Sequence, residues 1–469
     1  MPFLNRLQLW AQDQPDRTAV GVGDVRLSFA ELVSQATALV PEMESVTALC
    51  QPNSVELVAR FAAAVAGTRR CSVLDPKWPA GQRIAVRQRL ASGNSGPGQT
   101  DALADGPPDS AFLVGLTSGT SAVPKGFSRS RASWQASFER SIGYFDLAQP
   151  DVTLAPGPLS ASLNLYALAE CLYAGAPFFT LPAFDLAGVF RSIRRHGVTR
   201  LVVVPAMLRM IAERGTQASG GGAGITSIIS AGAKLDARTL AAARGWAPNA
   251  TIFEYYGASE LGFLAATRLE PEDAGQLLHT AVGYAFPGVQ LSIRSDDGTE
   301  LPAGKPGTIY ARSDLVSCGY LWGDDGLAFS RDGDWCTVGD QGFRAHGGVL
   351  HFLGRRSDMM ITAGHNVYPH EVELALQTVP GVGTSVVAGR PDGSRGHRIV
   401  AAIGPDSAAG TALTASMLRS AVGAVLPEYK RPAAYFALTE LPMTSGGKIS
   451  RALLSDWIVR EDPRVRRLS

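Results

Sequence analysis

The 469-residue sequence is poor in the features that most quickly assign a function. Cysteine is scarce: Cys50, Cys71, Cys171, Cys318 and Cys336 are scattered and never paired as CxxC, which argues against a disulfide framework or a cysteine zinc site. Charge of one sign is missing as well. With 43 Lys and Arg against 42 Asp and Glu, the net charge of +1 gives no electrostatic case for nucleic acid or anionic lipid. Long apolar runs are also lacking. The N-terminal MPFLNRLQLWAQDQPD is interrupted by Asn5, Arg6 and Gln8, so it has no signal-peptide core, and the run from Leu201 to Met210 is cut by Pro205 and Arg209. The expectation is a cytoplasmic protein with reduced thiols, no membrane span and no nucleic-acid partner. Two catalytic signatures are absent too. There is no GxSxG elbow, and His365 and His370, with Glu371 and Glu373 nearby, do not form HExxH.

What is present reads as a globular chain, 45% hydrophobic and 18% charged, long enough for about three folded units. Phe3 to Ala11 is amphipathic, Arg26 to Leu39 starts as a strand and continues as a helix, and Val55 to Ala66 is an Ala-rich helix. Cys71 to Pro79 reads as a buried strand ended by prolines. Ser92 to Ser110, rich in Gly, Pro and Asp, reads as a linker or surface loop. A helical Ala132 to Tyr144 is followed by short strand-like runs at Val152 to Pro156, Phe178 to Leu181, Leu201 to Val204 and Thr226 to Ser230. Helical stretches separate them, and the alternation predicts doubly wound α/β layers. From Gly283 to Tyr320, short alternating strands with Gly and Pro turns predict a small β-barrel-like unit. After Gly354 the strand-like Ser385 to Ala388, Ile399 to Ile403 and Ala434 to Ala437 mix with helices, a small α+β tail. The expected domains are therefore residues 1–354 and 355–469.

The chemistry is concentrated in AFLVGLTSGTSAVPKGFSRSRASW, Ala111 to Trp134. An apolar strand leads into Thr117, Ser118, Gly119, Thr120 and Ser121, then Pro124, Lys125 and Gly126. Hydroxyls, backbone N–H groups and a glycine that lets the main chain come close suit polyphosphate oxygens, and Lys125 adds a positive charge. The spacing is not that of a Walker loop. Alone, such a stretch is better read as a polar surface turn.

Four further segments accompany it in order: TIFEYYGASELG from Thr251, WCTVGDQG from Trp335, GRRSDMMITAGHNVYPHEVE from Gly354 and LPMTSGGKISR from Leu441. With these the sequence resembles the adenylate-forming superfamily of acyl-CoA synthetases, peptide-synthetase adenylation domains and luciferases, from Leu27 to Arg451. The resemblance implies ATP-dependent activation of a carboxylic acid through an acyl-adenylate, with transfer to a thiol, CoA before a carrier-protein phosphopantetheine. It implies a large N-terminal AMP-binding domain and a small mobile C-terminal one. Alternatives are a stand-alone adenylation enzyme loading a carrier protein and a non-catalytic nucleotide-binding regulator. By the same resemblance, Thr117 to Lys125 wraps the β- and γ-phosphates, with Thr117 also catalytic. Tyr256 stacks on adenine beside Gly257 and Ser259, and Gly232 and Ala233 of SAGAKL line the base. Glu260 holds Mg²⁺, Asp340 accepts from the ribose hydroxyls, and Arg355 is a cation near ribose and phosphate. Lys448 neutralises the α-phosphate during attack, and Gly364 lines the passage for the thiol arm.

The sequence departs from the family at several points. Ser121 and Ala122 stand where Thr and Gly are commoner, Arg131 where a histidine often stands, and Ser357 where the domain pivot is expected. In PLSASLN, Ser160 replaces the aspartate that pairs with an α-ammonium, which speaks against an amino acid substrate. The small residues Ser160, Ala161 and Ser162 leave room for a bulky or aryl acid.

Overall fold

The computed structural model describes residues 3–92, 102–117, 123–217, 221–273, 280–324, 326, 329–393, 396–405, 413–443 and 449–469. The chain divides into two compact units. The first is Met1–Gly275, Val282–Ser292 and Tyr310–Val338, and the second is Gln276–Ala281, Ile293–Ile309 and Gly339–Ser469. The fold is mixed α/β, with a large N-terminal part and a small C-terminal one.

In the first unit, strands Thr18–Val22, Phe178–Thr180, Thr153–Leu154, Arg200–Val203, Ser227–Ser230 and Thr251–Ala258 lie side by side and parallel. Antiparallel Val25–Ser28 closes one edge, and Gly262–Leu269 adds antiparallel at the other end of the run. All four residues of Arg200–Val203 are buried, as a parallel strand covered on both faces requires. The covering helices are set by local signals. Ser28 and Glu31 form a reciprocal capping box at 3.2 and 2.8 Å before Phe29–Leu39. Asp185 caps Leu186–His196, whose last turn carries Arg194, Arg195 and His196 against the helix dipole before Gly197 ends it at φ +62°.

A second sheet of the same unit orders Val46–Leu49, Arg70–Val73, Ala111–Thr117, Lys125–Ser130 and Gly319–Trp322. The last strand belongs to the region expected to form its own β unit, yet it pairs antiparallel with Lys125–Ser130, Gly319 with Ser128 and Tyr320 with Phe127. The stretch expected to be a linker or surface loop is a surface segment held against the fold. Its described part, 102–110, is docked: Leu103 is buried, Asp105 accepts from the Asn5 N–H at 2.9 Å, and Gly67 bridges to Asp105. Gly and Pro mark where a chain turns, and packing decides whether the turn is free.

The second unit is α+β. Strands Met360–Thr362, His365–Val367, Ser385–Asp392, Gly396–Ile403, Ala434–Leu438 and Val465–Arg467 form one sheet. Alternation splits its side chains: Val387, Ile399 and Ala401 pack with Val372, Leu376, Leu418 and Val422, while Val386, Ala388 and Val400 pack with Leu454 and Ile458. Buried Glu373 accepts from the Val387 N–H at 2.8 Å and from Arg451 through both oxygens at 2.9 Å; Arg451 also reaches Asp358 at 3.5 Å. Burial pushes the Glu373 carboxyl up, against the pull of Arg451. All five cysteines are free, and among the described residues no helix is long and apolar enough to cross a membrane.

Candidate functional site

The strand Ala111–Thr117 buries Phe112, Leu113 and Val114 and ends where the hydroxyl-rich stretch of the sequence begins. Its partner Lys125–Ser130 brings Lys125 opposite Thr117. A Cβ on Gly115 would stand 2.1 Å from the Phe127 ring, so glycine there lets that ring lie across the strand. Trp322 Nε1 donates to the Pro124 carbonyl at 2.8 Å and fixes the chain just before strand Lys125–Ser130. Ser118, Gly119, Thr120 and Ser121 lie outside the described residues.

Thr117 and Glu260 meet through Tyr320. The Tyr320 hydroxyl donates to Glu260 Oε1, and Thr117 Oγ1 lies 3.2 Å from the same hydroxyl oxygen. Since the tyrosine proton is committed to Glu260, Thr117 is the donor in the second contact. Lys125 Nζ stands 5.9 Å from the Tyr320 ring centroid. Glu260 sits in a tight reversal between Thr251–Ala258 and Gly262–Leu269, held by the Leu261 N–H on Ala258 O at 3.0 Å and the Ser317 N–H on Glu260 O at 2.7 Å. Gly257 is required by that reversal, because a Cβ would come within 2.3 Å of the Gly262 carbonyl. Gly257→Ala is therefore expected to displace Glu260 and cost about 1–3 kcal/mol, read as a lower melting temperature together with an increased KM for MgATP. A KM left unchanged would separate the reversal from nucleotide binding.

Arg129 braces the same region from beneath. It is buried and donates to the carbonyls of Leu315 and, at 2.7 Å, Ser259. Burial pulls its guanidinium down to about 10, opposed by the charge of Glu260. No sequence signal singled it out, since an arginine in an alternating strand reads as solvent-facing. Arg131, by contrast, is structural: fully buried, it donates to Ser110 Oγ at 2.7 Å and to the carbonyls of Val65 at 2.8 Å and Arg69 at 3.1 Å.

Gly232 lies at the end of strand Ser227–Ser230 with φ +87°, followed by Ala233. This segment is held by a buried pair that sequence reading missed: Lys234 Nζ contacts Glu254, and Glu254 also accepts from the Leu235 N–H at 2.6 Å. Burial raises the Glu254 carboxyl, and Lys234 works against it. Tyr255 lines a cavity while half-buried Tyr256, next on the strand, does not. Successive strand residues face opposite ways, so the two tyrosines serve two sides.

The cavity has a volume of about 210 Å³. Its walls include Phe127, Trp134, Tyr166, Tyr255 and Phe263, with Gly257, Ser259, Ser137 and Ser162 among the other liners. Of the small residues expected to form a wall, only Ser162 does so; the chamber has aromatic walls with the buried Arg129 as its charged liner, assembled from strands and from helices Arg131–Tyr144 and Ser162–Ala174.

In the second unit, Asp340 and Arg355 face each other across the hairpin Asp340–Arg344 and Leu350–Arg355. Arg355 Nε lies 3.4 Å from Asp340 Oδ1, with the carboxylate buried and the guanidinium largely exposed. Gly364 and Ala363 are the two turn residues of the hairpin Met360–Thr362 and His365–Val367, at φ +79° and +49°. Positive φ at both positions is the type I′ arrangement. Gly364 is exposed, with no atom within 4 Å of the place its Cβ would take. Lys448 lies outside the described residues; on either side of 444–448, Met443 bridges to Ile449 and Arg451 is fixed on Glu373.

At the end of strand Ala111–Thr117, the Thr117 hydroxyl, Lys125 and the buried Glu260 carboxylate gather next to a chamber with aromatic walls, an arrangement suited to a phosphorylated small molecule. Residues 82–321 match the AMP-binding enzyme family, and residues 371–448 match the AMP-binding enzyme C-terminal domain. The chain belongs to the AMP-binding enzyme family. It is 29% identical to the uncharacterized acyl-CoA ligase YhfT of Bacillus subtilis (strain 168), over 96% of each chain. It is 31% identical to indoleacetate-CoA ligase of Aromatoleum aromaticum, over 76% of this chain and 68% of that one. In fold it is similar to o-succinylbenzoate CoA synthetase from Bacillus subtilis in complex with its acyl-adenylate intermediate, with a TM-score of 0.84 and 24% identity over 96% and 98% of the two chains.

Proposed function

We propose that this chain joins a small carboxylic acid to CoA in two steps, forming an acyl-adenylate and pyrophosphate from ATP and then passing the acyl group to the thiol. The observation that carries this reading is the line Thr117, Tyr320, Glu260 beside the aromatic chamber, with Ser259 on the chamber wall and Glu260 next to it in sequence. The groups assigned to phosphate thus lie beside a space that suits the acid. Both named relatives are CoA ligases, which favours CoA over a carrier-protein arm.

The residues fit a magnesium ion. Among the described residues no cluster of three or more His, Cys, Asp or Glu exists, and Glu260 is a single buried carboxylate flanked by hydroxyls. Mg²⁺ is suited to one or two carboxylates, with phosphate oxygens and water completing its shell. Bound there, it would screen the negative charge of the polyphosphate. Thr117, Ser118, Gly119, Thr120, Ser121 and Lys125 are the proposed phosphate ligands. Tyr256, Gly257, Ser259, Gly232 and Ala233 are assigned to adenosine, Asp340 and Arg355 to ribose, Lys448 to the α-phosphate and Gly364 to the thiol passage. The domain boundary at 354/355 belongs to the same reading.

Glu260→Gln is expected to lower acid-dependent pyrophosphate exchange about 10²-fold, the cost of one oriented charge, with the melting temperature retained. A screen of exchange over aryl, short-chain, long-chain and amino acids, followed by CoA-thioester formation, checks the activity itself. Exchange without CoA consumption would move the assignment to carrier-protein loading, and robust exchange with an amino acid alone would contradict the reading of Ser160.

A further inference from the structure

Behind the chamber runs a chain of buried polar groups that nucleotide handling does not need. Ser137 Oγ lies 2.7 Å from Tyr166 Oη, and Tyr166 Oη lies 2.9 Å from Ser141 Oγ. Ser141 Oγ donates to Glu170 Oε1 at 2.5 Å, and Arg200 Nη2 donates to Glu170 Oε2 at 2.7 Å. Glu170 and Arg200 are 1% and 2% exposed. Ser137 and Tyr166 line the chamber; the other three do not.

The direction of every proton follows from the buried end. Paired with a guanidinium, which only donates, Glu170 is an acceptor-only carboxylate. Ser141 owns one hydroxyl proton and gives it to Glu170, so it can only accept from Tyr166. Tyr166, its proton spent on Ser141, can only accept from Ser137. Ser137 spends its own proton on Tyr166. Its oxygen, on the chamber wall, is left with acceptor capacity and no proton to offer. Burial first, then the charge of Glu170, holds the Tyr166 hydroxyl far above its usual range, so it stays a donor at neutral pH.

The shape of the chamber limits what can use that oxygen. Its volume, about 210 Å³, is below the roughly 300–1,000 Å³ of sites for drug-sized ligands, which suits a compact ring system. Its rings are held edge to face, Trp134 on Tyr166 at 75° and Tyr166 on Phe263 at 81°, so the walls offer both ring faces and ring edges to an aromatic guest.

The geometry points to an aromatic carboxylic acid that carries a hydrogen-bond donor, a ring N–H or a phenolic O–H, away from its carboxyl group and presents it to Ser137 Oγ. This inference rests on the acid-activating reading of the same site. Ser137 is the specificity-determining contact, and Tyr166, Ser141, Glu170 and Arg200 are positioning residues that fix its polarity. An acceptor in the same place, such as a carbonyl, would face a lone pair.

Matched acids test it: an indolyl acid against its benzofuran isostere, and a para-hydroxyphenyl acid against its para-fluoro and para-formyl analogues. In the parent protein the donor acid should exceed its partners by about tenfold to a hundredfold in kcat/KM for pyrophosphate exchange, the range for one buried hydrogen bond left unmade. Ser137→Ala should bring the ratio to about one by lowering the donor acid, with the isostere changed less than about twofold. Ser141→Ala releases the Tyr166 proton, so the chain can reverse and the para-formyl acid should gain about tenfold; a purely structural serine would not invert a preference. Calorimetric binding of the same acids without ATP is the second readout. Equal treatment of both members of each pair by the parent, or a ratio that survives Ser137→Ala, overturns the inference even if every acid is activated. Discriminating binding with no exchange and no thioester for any acid sustains the pocket inference and overturns the ligase reading instead.

Discussion

Lys448→Ala is expected to lower acid-dependent pyrophosphate exchange about 10³-fold, the upper range for one cation aimed at charge that develops in the transition state. Thioester formation from supplied acyl-adenylate and CoA should stay within about threefold, since a carboxylate no longer approaches a phosphate in that step. The anchoring of this segment is on hand in the second unit: Met443 bridges to Ile449, the Ser450 N–H donates to Pro442 O at 2.7 Å, and Arg451 is locked on Glu373. Alanine at 448 leaves those anchors intact, so loss of activity reports on the ammonium group. Gly364 supplies the opposing measurement. Its positive φ makes leucine a poor probe, because strain in the turn would add to any effect on the thiol. Asparagine tolerates the left-handed region and meets no neighbour there. Gly364→Asn should therefore keep exchange and lower thioester formation about tenfold, as a side chain obstructs a passage shaped by bare backbone. Equal losses of both half-reactions in both variants would refute a division of labour between the lysine segment and the glycine hairpin.

Arg200→Leu should cost the first unit about 3–5 kcal/mol, the penalty for leaving one member of a buried ion pair uncompensated. Burial alone would depress the Arg200 guanidinium, but the charge of Glu170, with Cys171 and Asp151 adding to it, carries the net shift upward. That direction marks a cation stabilised by its partner. Glu170 without Arg200 would keep Ser141 but lose its other hydrogen bond in a fully enclosed position. The melting temperature of the first unit should fall by roughly 5–8 °C. The double change Glu170→Leu with Arg200→Leu should recover most of the loss, because two matched apolar side chains replace both desolvated charges. A single variant that melts within about 1 °C of the parent, or a double variant worse than both singles, would show that the pair does not act as a unit.

How far the sequence could be read depended on the range over which each feature is encoded. The helix Arg131–Tyr144, the strand-to-helix step at Ser28 and the parallel strands Arg200–Val203 and Ser227–Ser230 follow from periodicity and caps within a dozen residues. The segments to which the chemistry is assigned could be picked out because each keeps its reactive residue types in one short run, as Tyr256 to Glu260 does. Asp340 and Arg355 were legible singly but not as a pair; the hairpin joined them.

The sequence by itself therefore determined the α/β class, the order of the reactive segments and the kind of reaction, since local spacing carries all three. Only the tertiary structure decided what surrounds the reacting groups. It brought Tyr320 to Glu260 across 60 residues and Arg129 to Ser259 across 130, and it turned Arg131 into a buried brace for Val65 and Arg69. It also walled the chamber with rings from separate strands and helices and backed it with Glu170 and Arg200, 30 residues apart. The physical reason is that a buried polar group is satisfied by whatever packing places beside it, and no pattern in the neighbouring residues announces that partner.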